Sequence, residues 1–347
     1  MNGKMKNKIL IIAILGILGI MLLFLTGCGN NNEGDKSGNN SKTTLASVVK
    51  VGDYVEYNAG TENTYTSPKN KNGCREQVFK TTGKEKWRVL SVEDNGTVNL
   101  VSDELKRESS HGFSIIGAVG YNNLIDELNN ISAIYGKGDG AVSARSMTIE
   151  DILKGEGLEI IANELGVDIS KYTTDDEKIQ ALYDYMPNTN SYYIINGDIG
   201  QKEDLNKEVT VTSDKIMYEP DKNSENGYKE TNSITCKNVY LPDVMHLGRI
   251  NIDEELQKIL FTNDQKYYIW LANSISTVEK AGDEKYISYE GFRGEDGNIQ
   301  KTTLFTSMNN VRKQEIESYV KAVVTLEQNI KTTGGDGSES NPYTISK

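Results

Sequence analysis

The chain is poor in the residues on which most enzyme chemistry is built. Among 347 residues it has two histidines, His111 and His246, and three cysteines, Cys28, Cys74 and Cys236. Histidine titrates near neutral pH and is the commonest metal ligand, so imidazole catalysis and histidine-rich metal centres have little to draw on. The zinc-site spacings HExxH and CxxC are missing, and so is a GxSxG nucleophile elbow. Ser109, Ser110 and His111 are adjacent, whereas a nucleophile and its base must converge in space. Cys74 or Cys236 could pair with a histidine; the plainer reading is two ordinary histidines in loops or at strand ends. GAVGYNN and GKGDGAV lack both the lysine of a phosphate loop and its strand–helix context. No catalytic residue, metal ligand or cofactor is therefore expected. The sequence reads as having no basic stripe or Lys/Arg cluster, and 38 basic residues face 50 acidic ones, so nucleic acid is not an expected partner.

What is present begins at the N-terminus. Lys4, Lys6 and Lys8 precede ILIIAILGILGIMLLFL, residues 9–25, which carries no polar side chain. A basic segment followed by an apolar run is the pattern of an export signal. The run also approaches the length of a membrane-spanning helix, so an uncleaved anchor is the alternative. Leu25, Thr26, Gly27 and Cys28 resemble the lipobox of bacterial lipoproteins. That resemblance implies removal of residues 1–27, a diacylglyceryl group on Cys28, and attachment to the extracytoplasmic face of the cell membrane. Two acyl chains on one residue suffice for stable anchoring. Processing would remove three lysines and no acid, leaving 35 basic and 50 acidic residues, a net charge of −15.

GNNNEGDKSGNNSKTT, residues 29–44, is polar and of low complexity. It buries too little apolar surface to fold, and residues 28–44 read as a disordered tether averaging about 20 Å in reach. Beyond it, 45–190 reads as an N-terminal strand region with a helical section, and 191–347 as a mainly β domain. Alternation marks strands at 47–58 and 87–103, the latter broken by the hairpin signal Asp94-Asn95-Gly96. Leu124, Leu128, Ile131 and Ile134 lie on one helical face. Thr148 is the N-cap candidate of TIEDILKG, TDDEKIQALYDYM from Thr174 reads as another short helix, and residues 119–187 read as a helical section. Strand patterns return at Ser191, Lys207, YYIWLANS, KYISYEGF and KTTLFTS, with a turn at Asp296-Gly297 and KAVVTLEQNI as the last strand. The fold class is α+β, a mainly antiparallel sheet with a helical section between the N-terminal and C-terminal strands.

VGDYVEYN, WRVLSV, GYNNLIDELNN, ARSMTIEDI, YYIWLANS, KAVVTLEQNI and GGDGSESNPYTI occur in this order. Together they resemble a family of uncharacterised clostridial surface proteins. The family's closing domain is distantly similar to the fold of C-type lectins and formylglycine-generating enzymes. The chain departs from the family pattern at Asn273-Ser274, where Ser-Arg is usual, and at Lys321-Ala322, where Arg-Pro is usual. The resemblance implies a fold and a surface location, and no activity.

Other candidates rest on single residues. Cys74 and Cys236 could form a disulfide in an exported protein, or remain thiols. Glu219-Pro220-Asp221 resembles the sugar-and-calcium tripeptides of C-type lectins; its simpler reading is a polar turn. The 19 tyrosines, against six phenylalanines and two tryptophans, suit binding surfaces. Tyr267, Tyr268 and Trp270 are the candidate sugar platform, with a core role as the alternative. The expected function is a non-catalytic, membrane-anchored binding module for a cell-wall carbohydrate or an envelope protein. The alternative is a carboxylate-dependent enzyme acting on envelope glycans.

Overall fold

A computed structural model of the chain describes residues 43–103, 105, 112–153, 158–159, 162–163, 166–185, 208–237, 259–261, 268–295, 298–308 and 315–346. In chain order the first strands are β1 (Tyr54–Asn58), β2 (Thr64–Ser67), β3 (Gln77–Lys80), β4 (Lys84–Val92) and β5 (Val98–Val101), with a one-turn helix α1 (Lys69–Asn72) after β2. Strand β6 (Phe113–Ile115) leads into the long helix α2 (Gly117–Ala133); β7 (Ala141–Ser146), α3 (Ile149–Leu153) and α4 (Asp175–Tyr185) follow. Then come β8 (Glu208–Pro220), β9 (Tyr228–Lys237), β10 (Ile269–Ala281), β11 (Glu284–Glu295) and β12 (Asn298–Thr306). The chain closes with β13 (Ile316–Ser318), β14 (Ala322–Leu326), β15 (Lys331–Gly334) and β16 (Tyr343–Ser346).

Local signals act as their chemistry dictates. Gly96 adopts φ +83° between β4 and β5, and Val92 pairs with Val98 across the turn. Thr174 and Glu177 exchange hydrogen bonds at the start of α4, Glu177 N to Thr174 Oγ1 at 3.2 Å and Thr174 N to Glu177 Oε2 at 3.1 Å, a capping box. The expected turn at Asp296-Gly297 lies outside the described residues, and Glu295 pairs with Asn298 on either side of it.

The main sheet has the order β15-β16-β1-β4-β5-β14-β7. The fold is α+β, and its strand pairs are antiparallel except for β16 on β1, which is parallel among the described residues. Four of the seven strands precede residue 190 and three follow it. Residue 190 itself lies outside the described residues, and 42–347 form one compact unit. Two expectations need correction. Residues 141–146 are a strand within the stretch read as helical, because they complete the sheet beside β14. KAVVTLEQNI is not the last strand: β15 and β16 follow, paired across the glycine-rich loop.

Each face of the main sheet buries its own core. On one face Val55, Tyr57, Trp87, Val89, Leu100 and Val324 pack against Leu124, Leu128 and Ile131 of α2. The last three are fully buried, each worth about 1.5–3 kcal/mol against exposure. On the opposite face, Leu90, Val101 and Val323 meet Ile149, Ile152 and Leu182 of α3 and α4, together with Ile269 and Leu271 of β10. A third cluster joins the β8–β9 hairpin to the sheet β10-β11-β12 through Val211, Met217, Ile234, Ile287, Tyr289 and Phe305.

Candidate functional site

Two of the quoted motifs meet in space. In ARSMTIEDI, Arg145 at the end of β7 forms a two-pronged ion pair with Asp151 of α3, at 2.5 and 2.6 Å. The Asp151 carboxylate also accepts the N–H of Thr148 at 2.8 Å. Its hydrogen bonds raise the Arg145 pKa against the desolvation that would lower it. In YYIWLANS, Asn273 accepts the N–H of Ile149 at 2.8 Å and donates to Glu150 at 3.1 Å. Asn273, one of the departures from the family pattern, thus caps α3. Lys321, the other, is buried at 2 % exposure and donates to Ile259 O at 3.2 Å. This junction locks β10 to the main sheet.

The candidate residues divide. Trp270 is fully buried, and its indole N–H donates to Phe113 O at 2.9 Å, so it presents no free ring face. The ring of Tyr268 lies under the Arg293 guanidinium at 4.0 Å. Glu219 pairs with Lys229 at 2.9 Å. Asp221 accepts the N–H of Asn223 at 2.8 Å, the side-chain-to-backbone bond of a polar turn. Cys74 donates to Asn72 O at 3.6 Å, and Cys236 packs beside the third cluster; no bond joins the two. Burial pushes the Cys236 thiol pKa up, partly offset by a hydrogen bond with Ser276. Leu25, Thr26, Gly27, Cys28, His111, His246 and Tyr267 lie outside the described residues.

Buried carboxylates are individually engaged. Glu127 accepts the Tyr65 hydroxyl at 2.9 Å on both oxygens. Glu290 accepts Thr277 at 3.3 Å and lies 3.4 Å from Lys301. With Asp151, these acids sit on three separate elements. Among the described residues no three His, Cys, Asp or Glu side chains converge as a metal site, and no helix is long and apolar enough to cross a membrane.

One open feature was not read from the sequence. Between Thr212 and Met217 the β8–β9 ladder slips: Thr212 pairs with Ser233 and Met217 with Thr231. Ser213–Ile216 therefore stand opposite Asn232 alone. The Asn232 side-chain amide donates to Ser213 O at 3.3 Å and to Lys215 O at 3.2 Å, which satisfies the arched backbone. Lys215 then reaches Glu284 at the tip of the β10–β11 hairpin, at 2.5 Å. Between the arch and that tip lies an open groove of about 480 Å³. It offers hydroxyls from Thr210, Thr212 and Ser213, carboxylates from Asp214 and Asp283, and the apolar side chains of Ile216 and Met308. Ile216 is 54 % exposed and Met308 40 %. The signal for the arch is in the sequence. Val209 and Val211 set the inward positions of β8, and Ser213 and Lys215 then place polar groups where apolar ones should follow.

Protein-family models, curated sequences and solved structures yield no match to this chain. The functional reading accordingly rests on its own residues and on the groove.

Proposed function

We propose that the protein is a lipoprotein held by diacylglyceryl-Cys28 on the extracytoplasmic face of the cell membrane. Its folded part is a non-catalytic envelope module that binds a segment of another protein between the Ser213–Ile216 arch of β8 and the tip of the β10–β11 hairpin. The helices α2 to α4 read as an insertion between the N-terminal strands and the later hairpins. The observation that carries the binding reading is the braced arch at Ser213–Ile216, which sets exposed Ile216 in one groove with exposed Met308 and fixed charges. Bulges kept in this way re-aim side chains for a purpose. A polypeptide suits this lining better than a sugar. The groove has no aromatic ring, while Trp270 and Tyr268 are occupied within the fold.

A photoreactive amino acid at position 216 in intact cells tests the reading, with one at exposed Val142 on a distant strand as control. One discrete adduct from position 216, missing from 142 and lost with Met308→Asp, is the expected result. The same adducts from both positions would sink the proposal. A melting-temperature rise with wall glycans, abolished by the same variant, would reassign the groove to carbohydrate.

A further inference from the structure

Among the described residues, the sheet face opposite α2 is covered only over part of its width. On β1, Val55 and Tyr57 point into the α2-side core, so Tyr54 and Glu56 point the other way. On β4, Trp87 and Val89 are buried there, which turns Lys84, Lys86 and Arg88 outward. On β16, Tyr343 and Ile345 pack on the α2 side, which leaves Thr344 and Ser346 outward, with Lys331 opposite Ser346. The apolar layer on the outward face begins at Leu90, Val101 and Val323. That layer reaches Arg88 through Ile259, which packs beside Gly52; over β15, β16, β1 and Lys84–Lys86 no buried cluster lies on this face among the described residues.

That open face is basic in an acidic chain. Among the described residues it carries Lys331, Lys84, Lys86 and Arg88 against one carboxylate, Glu56, which pairs with Lys84 at 2.7 Å. Lys84 and Lys86 are exposed. Arg88 is held flat over Tyr54 at 4.3 Å with its Nε on Gly52 O at 2.6 Å. The net charge of the whole chain is −12. On a strand, the alternation of KEKWR puts its three cations on one face, and the pairing of β15 with β16 adds Lys331 from far along the chain. The same edge receives the incoming chain: Thr332 N donates to Thr43 O at 2.9 Å and Leu45 N to Ile330 O at 2.8 Å. From that point to β4 is three strand spacings, about 14 Å.

We infer that this face docks on the anionic lipid headgroups of the membrane that holds the Cys28 anchor. The inference rests on the anchoring reading above. A tether ending at β15 keeps the basic face at high effective concentration beside the bilayer, so a patch too weak to bind alone is sufficient. Basic residues next to an anchored surface are drawn to anionic lipid within a Debye length, about 10 Å at 0.1 M salt. The acidic remainder is repelled by the same surface, which sets the direction in which the domain faces.

The test is lysine acylation, read by mass spectrometry, on the processed protein mixed with vesicles of phosphatidylcholine alone or with phosphatidylglycerol added. Lys84 and Lys86 are expected to react several-fold more slowly on the anionic vesicles, while Lys215 and Lys285 stay unchanged. The difference should vanish at 1 M salt, where screening acts within about 3 Å. Equal rates on both vesicles would overturn docking. The exposed substitution Lys86→Glu should restore Lys84 reactivity; retained protection would also overturn it. Equal protection by a soluble glycerol phosphate polymer without vesicles would rule out lipid as the partner. Flotation on phosphatidylcholine alone reads the anchor separately. A protein that does not float contradicts anchoring, whereas one that floats without protection contradicts only the docking.

Discussion

At the scale of single residues, Asp151 carries more than its surface counterparts. It is 3 % exposed and serves both Arg145 and the first turn of α3. Removing one partner of a buried pair leaves the other uncompensated, and here a cap is lost as well. Because Arg145 keeps 43 % exposure, Asp151→Ala should cost about 2–3 kcal/mol, below the range for fully buried pairs. Lys222→Gln breaks a pair whose side chains are 60 % and 63 % exposed, and should change stability by less than about 0.5 kcal/mol. Urea titrations of both variants check the contrast; equal effects would refute it. Trp270→Ala should cost about 3–5 kcal/mol as a core truncation, as the same titration would show. A sugar-binding role would instead predict a loss of affinity with little loss of stability.

At the scale of elements, the β8–β9 hairpin depends on its landing surface. Tyr218 meets Tyr228 edge-on at 5.1 Å, Tyr228 stacks on Phe305 at 6.1 Å, and Phe305 stacks on Tyr289 at 5.3 Å. The hairpin turn seats on α2 through Asn122, which donates to Gly227 O at 2.7 Å. Gly227 has φ +78°, and a Cβ there would lie 2.5 Å from Val119 N. Gly227→Ala combines backbone strain with a clash against backbone. Hydrogen exchange should then accelerate across 208–237 while the β1 and β4 amides keep their protection. Uniform acceleration over the whole chain would show that the hairpin is not a separable unit.

At the scale of the molecule, the order β15-β16-β1-β4-β5-β14-β7 closes the main sheet with strands from the end of the chain. A fragment of residues 43–190 would leave β1 without β16 and would separate β5 from β7, since β14 lies between them. It should show no cooperative thermal transition by circular dichroism, whereas 43–347 should. High pH tests the tyrosine-rich cores. Burial pushes the Tyr121 pKa up to about 12 and raises those of Tyr57, Tyr65, Tyr135 and Tyr289, against about 10 in an unfolded chain. Below pH 10 both states hold these protons, so the contribution to stability is fully present. As pH rises through about 10 the unfolded state ionises first, and stability falls between about pH 10 and 12. Denaturant titrations at pH 9, 10 and 11 should show that fall, with tyrosinate absorbance appearing together with unfolding. Reversible ionisation near pH 10 in the folded protein would contradict it.

Local chemistry was legible in the sequence wherever the deciding contacts lie a few residues apart. The Asp94-Asn95-Gly96 hairpin, the helix beginning at Thr174 and the apolar face of α2 follow from spacing and turn preference alone. The α+β class and the mainly antiparallel pairing follow from the same patterns. Tertiary structure decided whatever depends on partners far along the chain. It made a strand of Ala141–Ser146, because β14 offers an open edge there. It spent Trp270 on the core, set Asn273 as the cap of α3, and placed Arg293 over Tyr268. It also built the groove by bringing Lys215 to Glu284, and gathered Lys331 with Lys84, Lys86 and Arg88 on one face of the main sheet. Contacts between strands distant in sequence are invisible to periodicity, because the register that creates them is settled only when the whole sheet closes.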